Sequence, residues 1–132
     1  HYSVPRDEMA DVAMDIWKRE TGLPLRYVSG ERDYAMAAVF RSKDNTSDFN
    51  NFNFRWAPWV TREGLQQSGL LAICQIQDDV CNRRAARFAG EGARVIDHTM
   101  QRQIWNAVGR PWTFKVYVIP PQAITIPARA AN

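Results

Sequence analysis

The sequence predicts an α/β fold: a layered sandwich with a mostly parallel sheet of about five strands, helices on both faces and an antiparallel C-terminal edge hairpin. Three observations predict it. Segments of helical periodicity alternate with short apolar runs along the chain, the order that builds strand–helix–strand units. The run from Gly69 to Gln75, GLLAICQ, is apolar almost throughout, as suits a strand covered on both faces. The last two strand patterns are joined by a turn at Gly109-Arg110-Pro111, too short to hold a crossover helix, so they must pair antiparallel.

The elements follow in order. A helix starts near Ser3-Val4-Pro5-Arg6-Asp7-Glu8, where Ser3 or a neighbour caps, Pro5 suits the first turn and the acids complement the helix dipole. Met9, Val12, Ala13, Ile16 and Trp17 recur on one face, and Gly22 is the C-terminal stop. Leu25 to Gly30 reads as a strand and Tyr34 to Phe40 as a second helix. Ser47 to Asn53 alternates Phe49 with polar residues and reads as a strand, with Pro58 ending any regular element. Thr61 to Leu65 is a short capped turn of helix. Asp78 caps a further helix with Cys81, Ala85 and Phe88 on one face, stopping at Gly90. Ala93 to Ile104 alternates in part, and Thr113 to Ile119 alternates cleanly before Pro120-Pro121. Residues 1–121 thus make a single α/β domain, and 122–132 a loose tail with no core pattern.

Composition narrows the function. With 132 residues, 45% hydrophobic and 23% charged, the chain is an ordinary globular domain rather than a disordered one. The net charge of +3 comes from interleaved acids and bases. The densest basic run, Arg83-Arg84-Ala85-Ala86-Arg87, lies in a helical pattern and reads as a solvated face, so no nucleic-acid partner is expected. No apolar run approaches the ~20 residues that cross a bilayer. The chain opens on His1 rather than Met, which reads as a fragment of something longer.

Strong catalytic signatures are missing from the pattern. Gly30-Glu31-Arg32-Asp33 follows a strand and precedes a helix, the position where α/β folds bind ligands, but a dinucleotide fingerprint needs three spaced glycines and Gly30 stands alone. Gly30 therefore reads as a tight turn. Cys74 with His98 would be a nucleophile and base, yet an apolar strand raises a thiol pKa and makes the cysteine a poor nucleophile. The two cysteines, Cys74 and Cys81, with only His1 and His98 beside them, are too few for a zinc site, so no metal and no cofactor is expected. They are either a disulfide, worth about 2.5 kcal/mol in so short a loop, or two buried apolar thiols.

The stretch NNFNFRWAPWV, from Asn50 to Val60, mixes aromatics with amides and an arginine. Rings that stack on sugar C–H faces beside amides that pair with hydroxyls would make a binding loop; the same residues would equally serve as packing. The expected arrangement puts one phenylalanine in the core and the tryptophans in a loop at the end of the sheet.

Several segments in order, GLPLRYVSGERDYAMAAVF, SDFNNFNFRWAPWVTREGLQQSGLLAICQ, DDVCNRRAARF and FKVYVIPP, resemble the soluble C-terminal domain of bacterial membrane glycosyltransferases of family 39. These are relatives of the dolichyl-phosphate-mannose protein mannosyltransferases and of the lipid A aminoarabinose transferase. The chain departs from the family pattern at Phe40-Arg41-Ser42-Lys43-Asp44-Asn45, which lacks the proline of a tyrosine-serine turn, and at Ala57-Pro58-Trp59, where the family has serine before proline. The resemblance implies a periplasmic domain of an inner-membrane enzyme whose catalytic acids lie in a transmembrane part of the same chain, outside this sequence. That part takes sugar from a polyprenyl-phosphate donor. The same setting would let a Cys74–Cys81 disulfide form. The expected role is non-catalytic: shaping acceptor access or docking on the membrane part. Asn51, Asn53, Arg55, Trp56 and Trp59 form the candidate loop towards membrane, lipid-linked sugar or acceptor glycan, and Gly30, Glu31, Arg32 and Asp33 form a second candidate site. The rival reading is a free-standing α/β module that binds a ligand or a protein; a small hydrolase using Cys74 is a third.

Overall fold

A computed structural model describes residues 5–101, 103–104, 107–108 and 111–128. Helix α1 (Arg6–Thr21) begins behind Pro5 and ends at Gly22, which adopts the left-handed conformation at φ 67 that glycine enters without a Cβ penalty. Pro5 is itself the N-cap, ahead of the first turn rather than in it, and among the described residues there is no side-chain cap hydrogen bond where Ser3 or a neighbour was expected to supply one; Ser3 lies outside the described residues. Strand β1 (Tyr27–Gly30), helix α2 (Arg32–Arg41) and the two-residue strand β2 (Ser47–Asp48) follow. The next elements are helix α3 (Arg62–Ser68), strand β3 (Leu70–Gln75) and helix α4 (Asp79–Phe88). A long hairpin of β4 (Arg94–Met100) and β7 (Trp112–Ile119) completes the sheet, and β5 (Gln103–Ile104) and β6 (Ala107–Val108) pair as a separate two-stranded ribbon.

The fold class is the one the sequence predicts. The five-stranded sheet has the order β2-β1-β3-β7-β4. Strand β1 pairs in parallel with both β2 and β3, while β7 pairs antiparallel with β3 on one side and with β4 on the other. Period-two alternation then sorts the side chains. Val28, Leu71, Ile73, Phe114, Val116 and Val118 face α1 and α2, where Met9, Ile16, Trp17 and Tyr34 close a buried cluster. Leu70, Ala72, Cys74, Tyr117 and Ile119 face α3 and α4, where Leu65, Cys81, Ala85 and Phe88 close the other. On the first face the Tyr34 ring meets Phe114 edge-on at 4.8 Å between centroids. Its enclosed hydroxyl has no hydrogen-bond partner among the described residues, and burial pushes its pKa up.

The two caps read from sequence are present. The Thr61 hydroxyl accepts from the Gly64 amide at 2.9 Å and the Asp78 carboxylate from the Cys81 amide at 3.1 Å. Two expectations fail. The strand expected over Ser47 to Asn53 stops at Asp48, and a 3₁₀ turn (Asn50–Phe52) takes over. The reason is that both Phe49 and Phe52 are buried, which a two-residue alternation cannot achieve beside a single covered face. The tail expected to be loose from Gln122 is instead held: Ala123 is buried, Ile124 bridges Ala89, and the Thr125 amide donates to the Phe88 carbonyl at 2.9 Å. Its few apolar residues cover the end of α4, a contact too sparse to show as periodicity. Residues 129–132 of that tail lie outside the described residues. No helix among the described residues is long and apolar enough to cross a membrane.

Candidate functional site

All three parallel strands run their C-terminal ends towards one place. After β1 the chain enters α2 on one face of the sheet; after β3 it enters α4 on the opposite face; after β2 it enters the Asn50–Phe52 turn. Helices that leave neighbouring strands on opposite faces open a crevice between them, which is where open α/β sheets bind ligands. A cleft of about 230 Å³ lies there, lined by Gly30, Glu31, Arg32, Asn50, Asn51 and Phe52 together with Asp78, Val80, Cys81 and Arg84.

Its floor is fixed by close backbone approach. Gly30 has φ 113, and a Cβ placed on it would stand 2.1 Å from the Ile73 carbonyl oxygen. The Glu31 amide donates to that same oxygen at 2.8 Å. Gly30 is thus more than the tight turn expected from sequence: only glycine lets β1 and β3 meet the floor at this spacing.

One wall is a strained turn held by a buried serine. Asn51 and Phe52 have φ of 60 and 54, a region asparagine tolerates and phenylalanine rarely enters. The Ser29 hydroxyl donates to the Phe49 carbonyl and accepts from the Phe52 amide at 3.2 Å, so it closes the turn from within. The rings lock it further. Phe49 meets Phe88 edge-on at 5.5 Å, and Phe52 stacks on Phe88 at 5.8 Å. This overdetermination holds the unfavourable dihedrals in place.

The electrostatics are uneven. Burial pushes the Glu31 carboxyl above its ordinary range; hydrogen bonds from Gln75 oppose this, while Asp78 and Asp33 add to it. The Gln75 amide nitrogen reaches the two Glu31 oxygens at 3.1 and 3.0 Å. Burial also pushes Asp48 up, against the nearby charge of Arg32. On the opposite wall the Arg84 guanidinium donates to the Asn51 side-chain oxygen. The five ion pairs among the described residues all lie elsewhere, so neither Arg84 nor Arg32 has a carboxylate of a described residue within 4.0 Å.

The structure divides the residues singled out from sequence. Gly30, Glu31, Arg32 and Asn51, drawn from the two separate candidate groups, meet in the cleft. Asp33 does not line it and faces Arg6 at 3.5 Å. Asn53, Arg55, Trp56 and Trp59 lie outside it as well. The Asn53 side chain accepts from the Arg55 amide at 2.9 Å, a local turn, and Arg55 is exposed. Trp56 and Trp59 are 58% and 57% exposed, and the Trp59 indole donates to the Asp48 carbonyl at 2.9 Å. The expected single core phenylalanine becomes two, with Phe54 half-buried against Phe49 and under Arg62. Sequence reasoning missed Asn50, Val80 and Arg84 as wall residues and took Asp78 only as a cap. Arg84 could have been found from its place within the first two turns of the helix that Asp78 caps, where a side chain leans back towards the strand end.

Cys74 and Cys81 form a disulfide with Cα atoms 5.7 Å apart, which ties the end of β3 to the first turn of α4 beside the cleft. A bonded Cys74 is no nucleophile, so the hydrolase reading falls. Among the described residues no group of three or more acidic, histidine or cysteine side chains is placed to hold a metal ion. Comparison with family models, with curated proteins and with solved structures finds no match to this chain.

Proposed function

We propose that this chain is a non-catalytic, soluble domain of an inner-membrane glycosyltransferase that uses a polyprenyl-phosphate sugar donor. It sits on the periplasmic side, where the loop from Asn51 to Trp59 faces the acceptor glycan and controls its access to the transmembrane part. The observation that carries this reading is the pair of exposed tryptophans. Two large rings standing more than half in solvent, on a loop whose root is buried at Phe49 and Phe52, lose little entropy on meeting a sugar face. The Cys74–Cys81 disulfide supports an oxidising compartment.

The test is titration of the chain with lipopolysaccharide-type oligosaccharides, read by tryptophan fluorescence and by the indole N–H resonances. Saturable changes centred on Trp56 and Trp59, abolished by Trp56→Ala, are expected. Silence at millimolar sugar removes the glycan role. A parent chain lacking apolar segments of about 20 residues would sink the membrane assignment itself.

The cleft favours a second reading, a free-standing α/β module that binds a small ligand at the strand ends. Its lining is polar on walls from three different connections, as such sites require.

A further inference from the structure

We propose that the cleft at the ends of β1 and β3 binds a phosphate monoester of a small molecule, with Arg84 as its principal anion-binding side chain and Arg32 as a second cation on the lining. The inference rests on the second reading above and is independent of the membrane assignment.

The argument starts from Arg84. A partly buried guanidinium in a folded domain is ordinarily matched by a carboxylate, because an unneutralised charge out of water is costly. Arg84 is matched by an amide oxygen instead. An amide orients the fork without cancelling its charge, so the remaining N–H groups stay available for an oxyanion. Asn51 supplies that oxygen from a left-handed position at φ 60, on a turn that Ser29 and the phenylalanine rings hold rigid. The arginine is thus set in place before any ligand arrives, which lowers the ordering cost of binding.

The two carboxylates that line the cleft accept hydrogen bonds from neutral donors rather than from the arginines. Gln75 holds both Glu31 oxygens, and Asp78 caps α4 through the Cys81 amide. Helix α2 has no side-chain cap, and while the Tyr34 amide is held by the Glu31 carbonyl, the amide of its first residue, Arg32, lies at the cleft as a further donor. Donors from separate walls suit the several terminal oxygens of a tetrahedral phosphate better than a planar carboxylate, which one fork can satisfy. At about 230 Å³ the cleft is smaller than the ~300–1,000 Å³ typical of drug-sized ligands, so the molecule is small. Val80, exposed on the lining, leaves an apolar surface for its carbon skeleton.

The experiment is a titration of the isotope-labelled chain at constant ionic strength, following the Arg84 side-chain N–H and the backbone amides of Arg32, Asn51 and Val80. The probes are inorganic phosphate, glycerol 3-phosphate, acetate and glycerol, and vesicles containing phosphatidic acid. Saturable shifts confined to the cleft at millimolar phosphate are expected. Arg84→Gln should weaken them about tenfold or more, the worth of a charge-assisted hydrogen bond. Asn51→Gly, which keeps the left-handed backbone, should weaken them by less while leaving the melting temperature near that of the parent chain. Should Arg84→Gln unfold the chain, Arg84→Lys keeps the charge and loses the fork, and still weakened phosphate binding is required. Tighter binding of glycerol 3-phosphate than of the vesicles makes the ligand soluble, and the reverse makes it a lipid headgroup; either supports the shared chemistry. Acetate binding as tightly as phosphate overturns the assignment. Shifts with glycerol and none with phosphate overturn it too, yet leave the cleft as a ligand site. Silence with every probe removes both.

Discussion

The segment from Phe49 to Trp59 is uniform in composition and divided in fate. Its first part, Phe49 to Phe52, is rooted by two buried phenylalanines, strained and clamped, and Asn50 to Phe52 form a wall of the cleft. Its second part, Asn53 to Trp59, returns to the core only at Ala57 and half-buried Phe54, and carries two exposed tryptophans. The difference does not come from hydrophobicity, since tryptophan is as aromatic as phenylalanine. It comes from attachment. The first part lies over β1, where Ser29 can reach its backbone and Phe88 its rings, while the Trp59 side chain is held by one hydrogen bond to the end of β2 and the Trp56 amide by a local turn. An aromatic-rich stretch can therefore serve as both core and surface, and its neighbours across the sheet decide which.

Four measurements would break or sharpen this division. Phe49→Ala removes the ring that meets Phe52, Phe54 and Phe88 and should cost about 3–5 kcal/mol in urea unfolding. A loss no larger than that of an exposed residue would show that the wall is not locked by packing. Ser29→Ala removes two buried hydrogen bonds, leaving the Phe49 carbonyl and the Phe52 amide only each other at 3.1 Å, and should cost about 1–3 kcal/mol, with broadened resonances at Asn51 and Phe52. Unchanged resonances there would mean that the rings and that backbone bond hold the turn without the serine.

Glu31 gives a smaller, pH-dependent effect. Its folded pKa is raised above the ordinary 4.5, so its contribution is fully present at low pH and is lost as pH rises through the folded value. Glu31→Gln should remove that loss, and its stability relative to the parent chain should increase from acid to neutral pH. A relative stability that instead falls over the same range would contradict the desolvated carboxylate. Smallest of all, Trp56→Ala should change stability by less than about 0.5 kcal/mol, because no core contact is lost. A larger loss would make the loop part of the core and remove the exposed aromatic platform.

Most of the fold was legible because its signals are local. Gly22, Thr61 and Asp78 mark helix ends through their own backbone or side-chain bonds, and β3 and β7 declare themselves by period and apolarity. The cleft was half legible. Gly30, Glu31 and Arg32 could be placed by the rule that ligands bind beyond strand ends, and Asn51 belonged to the aromatic loop; that the two groups share a wall depends on β2 lying beside β1. Arg84 was read as a solvated residue because nothing near it in sequence reveals that Asn51 stands opposite. The docking of Ala123 and Ile124 was hidden for the same reason: one buried alanine and one bridge make no period.

The place of β7 in the sheet sets a condition on how the chain folds. Strand β3 is the most apolar in the molecule, and one of its edges is sealed only when Phe114 to Ile119 arrive, from Gln75↔Phe114 through Leu70↔Ile119. During synthesis that edge, LLAIC, waits with unpaired backbone groups while the whole of α4 and β4 is made. An apolar, unpaired strand is the template on which chains stick to one another. Truncation before Trp112 should therefore yield aggregates rather than a smaller folded unit.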